Sequence, residues 1–196
     1  MAADVQSLLV AQTWDGQPAP RGDWVNVELT LGAQTLLIDI DAPFHGDEAP
    51  AGPVGSTPGL WNHEVVELFL LGDDERYLEV ELGPHGHYLV LELSGRRRVV
   101  REHDVLDYRV RHDGMRFRGR AQIPLDWLPS GIARLNAYSI HGPSSARQHL
   151  AWRGAPGVRP DFHRLETFGA LGLPGLSVEV TVPAARSARA RSRARA

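Results

Sequence analysis

The segment His63-Glu64-Val65-Val66-Glu67 packs three metal-ligating or acid–base groups into five residues. A zinc-protease helix uses such groups four apart on one helical face. Here the segment runs on into Leu68-Phe69-Leu70-Leu71, and its β-branched, apolar character reads as a strand. On a strand His63, Val65 and Glu67 share one face, and Glu64 points to the other. A His63/Glu67 pair joined by His149 or His163 would then hold a metal. The competing account, which we favour, is histidines making ordinary hydrogen bonds at a loop edge, with no metal. Glu64, Glu67 and Glu79 would support acid–base chemistry if they converged, since glycoside hydrolysis needs two carboxylates about 5–10 Å apart. Ser139, Ser144 and Ser145 lack a nucleophile-elbow setting. Cysteine is absent, which excludes disulfide scaffolds, thiolate zinc sites, iron–sulfur clusters and cysteine nucleophiles together. Trp61 follows a Gly/Pro-rich loop and is either a plug for the end of a core or a stacking surface. Trp152 opens a polar, glycine-rich stretch and suits a site rim, whereas Trp14, Trp24 and Trp127 read as packing residues.

These residues must be positioned by strands, because the dominant hydrophobic period is two. Val25, Val27, Leu29 and Leu31 alternate with polar residues, and after the Gly32-Ala33-Gln34 turn residues 36–40 complete a hairpin. Residues 42–60 contain four prolines and four glycines and are expected to form a long ordered loop, a type that is usually functional or mobile. Further strands are expected at 65–71, 77–82, 88–93, 99–101, 108–111, 115–123, 134–141, 147–152 and 177–182, with one helical turn at 124–129. On the strand 115–123, Met115, Phe117, Gly119, Ala121 and Ile123 face the core. Glu79, Glu81 and Glu92, and the arginines at 109, 111, 116, 118 and 120, alternate with apolar residues. The simpler account is an exposed face laced by cross-strand ion pairs, and it is the expected one. The sharper account is a concave charged face that takes a polar ligand. The fold class is all-β, a mostly antiparallel sandwich of immunoglobulin or jelly-roll type with ten to twelve strands and little helix.

The 196 residues fit one domain, expected over 1–183, with an Arg/Ala/Ser-rich disordered tail at 184–196. All 21 basic residues are arginine, and five lie in that tail. Residues 1–183 therefore carry 16 arginines against 24 acids, a net charge of −8 that offers no footprint for specific nucleic-acid binding. No apolar run is long enough to cross a membrane as a helix, and no basic n-region precedes a hydrophobic stretch, so a cytoplasmic location is expected.

Two segments carry a family resemblance. Residues 60–70 (LWNHEVVELFL), followed by Tyr77-Leu-Glu-Val-Glu-Leu-Gly-Pro-His-Gly, resemble the pattern of family 9 carbohydrate-binding modules and their relatives. So do Leu150-Ala-Trp152, Phe162-His163 and Phe168-Gly-Ala-Leu171, which come in the same order near the end of such modules. The match runs from about residue 20 to 173 and is closest to small stand-alone members of the group. It implies a sandwich related to DOMON-like folds and non-catalytic binding of a small carbohydrate or glycan end. Carried over by motif position, Trp61 and Trp152 would clamp a sugar ring and Glu67 would contact its hydroxyls. A basic contact would come from the Arg96-Arg97-Arg98 run, assigned here to Arg96 and Arg98, with Asn136 and His163 at the rim. No cofactor is expected, calcium apart, for which Asp39, Asp41 and Asp47 are candidates only as oxygen ligands near loops. Haem, bound by distant relatives through a Met/His pair, is not expected, because Met115 has no evident partner. The alternative function is an enzyme or metal-dependent protein built around His63, Glu64 and Glu67. A third class, an interaction domain without a small ligand, requires Trp61 and Trp152 to be buried.

Overall fold

A computed structural model describes residues 4–176. The strand expected at 177–182 and the tail at 184–196 lie outside the described residues. Five strands form one antiparallel sheet: β1 (Val5–Val10), β3 (Val25–Leu31), β4 (Thr35–Pro43), β10 (Arg116–Pro124) and β9 (Asp107–Asp113), in that spatial order. The second sheet runs β2 (Gln12–Thr13), β12 (Gln148–Ala151), β11 (Arg134–His141), β5 (Val65–Leu71), β6 (Arg76–Leu82), β7 (Tyr88–Ser94) and β8 (Val99–Glu102). The short β13 (Gly169–Ala170) also pairs with β11. The expected turn after β10 is a single 3-10 turn, Leu125–Trp127. Among the described residues, no helix is long and apolar enough to cross a membrane.

The inward faces of the two sheets make the main core. Val25, Val27, Leu29, Ile38, Ile40, Phe117 and Ile123 from the first sheet meet Val66, Leu68, Leu70, Leu78, Val80 and Val90 from the second. Outward on the first sheet, register sets Arg118 opposite Asp41 and Arg120 opposite Asp39. Arg120 Nε lies 2.6 Å from Asp39 Oδ1, and Arg116 Nε lies 2.6 Å from Asp41 Oδ1. On this sheet the fold builds the expected solvated face of ion pairs around Arg116, Arg118 and Arg120, but with Asp39 and Asp41, not the glutamates, as partners. Met115 is the exception on β10's side of the hairpin: it sits at the turn, 81% exposed rather than in the core.

The second sheet departs from the expectation. All seven residues of β5 are buried, because both faces of the sheet are covered. Val65, Phe69, Leu71, Tyr77, Leu89, Leu91, Leu93, Tyr138 and Ile140 point away from the main core into a second apolar cluster. Leu60, Phe162, Leu165 and Phe168, from irregular segments, close over it. Glu79 and Glu81 lie on this covered face, 5% and 0% exposed, so the exposed-face account fails for them. Glu92 points the other way, at 2.7 Å from His103 Nε2. The segment from Phe44 to Gly59 is irregular, as its prolines and glycines foretold. It is held by Glu64, whose carboxylate accepts from the backbone N–H of His45 at 2.8 Å and of Asp47 at 3.2 Å.

Candidate functional site

A cavity of about 450 Å³ opens on the covered face of the second sheet. Its floor comes from strands: Glu67 on β5, Glu79 on β6, Leu91 and Leu93 on β7, and His149 on β12. Its rim comes from loops, with Trp61 and Asn62 on the 3-10 turn Leu60–Asn62, Arg97 in the β7–β8 turn, Arg147 before β12, and Phe162 and His163 from the loop after β12. Trp61 is 47% exposed, although it stands beside the fully buried Leu60. Arg147 fixes that turn by donating from Nη2 to the backbone carbonyls of Trp61 (3.2 Å) and His63, while Nη1 donates to Gly142 O at 2.8 Å. Arg97 has a left-handed backbone, φ 60°, which swings its side chain back over the sheet edge to pair with Asp161 at 2.6 Å.

Three buried carboxyls meet beneath the cavity. Register places Glu67 directly opposite Glu81 and Phe69 opposite Glu79. Like charges facing each other across adjacent strands repel, and burial removes the water that would screen them. Burial therefore pushes the Glu81 carboxyl up to about 11, with Glu67 and Glu79 adding to the shift. Burial also raises Glu79 to about 7, against the pull of Arg97. Glu67 is raised by burial and by Glu79, with Arg147 opposing. At neutral pH Glu81 therefore holds its proton and Glu79 is divided between its two forms, so the trio presents hydroxyl donors as well as acceptors.

A second polar chain lines the wall. The Arg97 backbone N–H donates to the Tyr77 hydroxyl at 3.0 Å, and that hydroxyl lies 2.7 Å from His163 Nδ1. Burial, helped by Arg97, lowers His163 to about 4, and burial raises Tyr77 to about 12. At pH 7 a neutral Tyr77 then donates to a neutral His163, which leaves the proton on Nε2. Phe162 is held flat against Tyr138, with ring centroids 3.8 Å apart. The whole is an apolar-sided cleft with a few polar groups, the common form of a small-molecule site.

No protein-family model matches the chain. The human UPF0462 protein C4orf33 is 40% identical over 171 residues, covering 81% of this chain and 84% of the human protein. The chain belongs to the UPF0462 family. Among solved structures, a Bacteroides uniformis protein described as a candidate carbohydrate-binding protein superposes with a TM-score of 0.62 at 18% identity, covering 86% of this chain and 85% of that one. A family 9 carbohydrate-binding module from Caldicellulosiruptor kristjanssonii, in complex with glucose, gives a TM-score of 0.50 at 14% identity, covering 86% and 82%. At such identities the likeness establishes a shared β-sandwich fold.

In this UPF0462 chain the residues singled out from sequence divide. Trp61, Glu67 and His163 line one cavity. Trp152 does not join them. It follows β12, where Leu150 turns to the main core and Ala151 to the second cluster, so alternation sends Trp152 to the main core, against which it packs. Arg153 lies over its ring at 4.8 Å, and a Cβ on Gly169 would come within 2.5 Å of it. The Gly169→Ala variant should accordingly lose about 1–3 kcal/mol in denaturant unfolding; unchanged stability would mean that Trp152 is free to move. Asn136 is not a rim residue either. It is wholly buried, with its amide donating to Tyr138 Oη (2.7 Å) and Arg153 O (3.0 Å) and its carbonyl accepting from the N–H of Ala137 and of Arg153.

Of the three consecutive arginines, Arg96 pairs with Glu166 at 2.6 Å, and Arg98 donates to Ser94 O at 2.6 Å. Arg97 is the one that borders the cavity. His63 contacts Glu48 O at 3.3 Å, and Glu64 caps the 44–59 loop, so neither converges with Glu67. Asp39 and Asp41 are engaged by arginines on the first sheet, and Asp47 accepts from Gly142 N–H at 2.7 Å. Sequence reasoning passed over Arg147 and gave Phe162 a place in a motif but no role in a site. It read Glu79 and Glu81 chiefly as surface charges, although it also named Glu79 with Glu64 and Glu67 as carboxylates that could converge, and the fold brings Glu67 and Glu79 to one cavity. One signal was available: a run as continuously apolar as Val65–Leu71 describes a strand buried on both faces, so that an acid inside it is buried too.

Proposed function

We propose that this protein binds a small carbohydrate or glycan end, without catalysis, in the cavity above Glu67 and Glu79. The reading is carried by one observation: a half-exposed tryptophan, Trp61, stands at the mouth of a cleft floored by buried carboxyls. The apolar C–H face of a pyranose stacks on an indole, while its hydroxyls need donors and acceptors together. The Glu67 and Glu79 carboxyls, raised above their ordinary range by burial, supply acceptors and a proton to donate, His163 offers an N–H, and Arg97 and Arg147 offer further donors. In place of a paired tryptophan clamp, Trp61 acts as a single platform, with Phe162 as the apolar wall. Glucose, the ligand of the family 9 neighbour, is the first sugar to try.

Calorimetric and thermal-shift titration with mono- and oligosaccharides tests this. A ligand specific to the native state raises the melting temperature by mass action. The Trp61→Ala variant should weaken binding at least tenfold, about 1.4 kcal/mol or more, with an unchanged circular dichroism spectrum. Failure of every sugar at millimolar concentration, or full affinity in Trp61→Ala, would remove the reading.

A second reading draws on Glu79, whose carboxyl titrates at about 7, as suits a general acid. Glu67 and Glu79 would then be a hydrolytic pair, and release of nitrophenol from nitrophenyl glycosides would distinguish hydrolysis from binding.

A further inference from the structure

A second cluster of functional side chains lies outside the cavity. Asp23 precedes β3, His45 follows β4, and His141 ends β11, yet one donor atom from each lies within 4.8 Å of the others. His45 Nε2 is 3.2 Å from Asp23 Oδ1, and His141 Nε2 is 3.2 Å from Asp23 Oδ2. The two imidazoles are stacked face to face, with centroids 3.6 Å apart and planes within 4°. Both ring edges therefore present Nε2 to the same carboxylate.

Hydrogen bonding alone accounts poorly for this arrangement. Asp23 Oδ1 is buried and accepts no hydrogen bond of good geometry, although His45 Nε2 lies only 3.2 Å away. Protonating both rings would stack two cations 3.6 Å apart. His141 Nδ1 is buried without a partner on any account, so it does not discriminate. A cation among the three groups would take the carboxylate and both nitrogen lone pairs once the partly exposed His45 ring tilts out of the stack, since one ion cannot lie in two parallel ring planes 3.6 Å apart. Bonds of about 2.0–2.1 Å in a tetrahedral shell set neighbouring ligand atoms about 3.3 Å apart, close to the two nitrogen–oxygen separations found here.

We propose that Asp23, His45 and His141 form a binding site for a divalent transition-metal ion of the zinc class, with two imidazole nitrogens and one carboxylate as its protein ligands. Nitrogen donors favour such an ion over calcium or magnesium, which prefer all-oxygen shells. Three protein ligands leave coordination to be completed by water or another ligand. The His45 side chain, 27% exposed, gives the ion a route in, while those of Asp23 and His141 are 11% and 6% exposed. Since the three residues come from three separate segments, the metal would also pin the start of the 44–59 loop to the sandwich. This site stands apart from the carbohydrate reading, and neither depends on the other.

The test uses the full chain stripped with chelator and then titrated with Zn(II), with Co(II) as a spectroscopic probe and Ca(II) as a competitor of the wrong class. The expected result is one equivalent of Zn(II) bound, a rise in melting temperature, a tetrahedral Co(II) visible spectrum, and no displacement by excess Ca(II). His45→Phe keeps the ring stacked on His141 but removes the ligand nitrogen. It should abolish stoichiometric binding while the fold, read by circular dichroism, is retained. Asp23→Asn should weaken binding at least tenfold, and His63→Ala should leave it unchanged. The proposal is overturned by several weak equivalents in place of one, by binding that survives in His45→Phe, or by binding lost equally in His63→Ala.

Discussion

The Glu81→Gln variant is expected to be more stable than the parent protein at pH 8, by on the order of 3–5 kcal/mol, and to lose most of the parent's alkaline instability. Glu81 is completely buried opposite Glu67, and burial lifts its carboxyl to about 11. In the unfolded chain the same group ionises near its ordinary value of 4.5. Above that pH, folding must take up a proton, so stability falls by about 1.4 kcal/mol for each pH unit until the folded value is reached. Glu79 adds to the slope only as far as about 7. His163 acts in the opposite sense, because its lowered value of about 4 makes stability rise between 4 and 6.5 and leaves it constant above. The clean window is therefore pH 7 to 9, where Glu81 dominates. Glutamine fills the same volume and donates from its amide where the carboxyl must first be protonated. Urea titrations across that window check the expectation. A parent whose stability rises from pH 7 to 9, or a Glu81→Gln protein less stable than the parent, would refute it.

Asn136→Ala carries the second large effect, a loss of about 3 kcal/mol together with a loss of ligand affinity. The Asn136 side chain is wholly buried and makes four hydrogen bonds, two of them to the backbone of Arg153. Truncation leaves the Arg153 N–H and C=O and the Tyr138 hydroxyl to find new partners, and each buried group left unpaired costs about 1–3 kcal/mol. Arg153 begins the segment that carries Phe162 and His163 over the cavity, so its release should blur that wall. Urea unfolding reads the first effect and sugar titration the second. A change below about 1 kcal/mol would show that the clip is dispensable.

The strand order of events along the chain was legible from alternation alone. The expected 65–71 strand coincides with β5, and the expected strand at 134–141 coincides with β11. β1 was passed over because Val5 and Leu9 are exposed while Leu8 and Val10 are buried, an edge-strand pattern blurred by apolar residues on both faces. Trp61, Glu67 and His163 were found because they sit inside motifs. Trp152 was misplaced because a motif records order along the chain, whereas one residue of strand parity decides which layer a side chain enters. Arg97 could not be told from Arg96 and Arg98, since only the left-handed backbone at residue 97 separates their directions.

What the sequence by itself determined is the all-β class, most of the strand boundaries and the ion-paired face of the first sheet, because each depends on neighbours two residues apart or across one turn. The tertiary structure alone decided that Glu67, Glu79 and Glu81 share a dry floor and that Asp23, His45 and His141 meet. Those facts depend on which segments fold back over the second sheet and on which strand ends come together. Neither is encoded in a local period: the Asp–His cluster joins residues 22 to 118 positions apart, the cover over the glutamates comes from segments distant in the chain, and only packing brings them into one place.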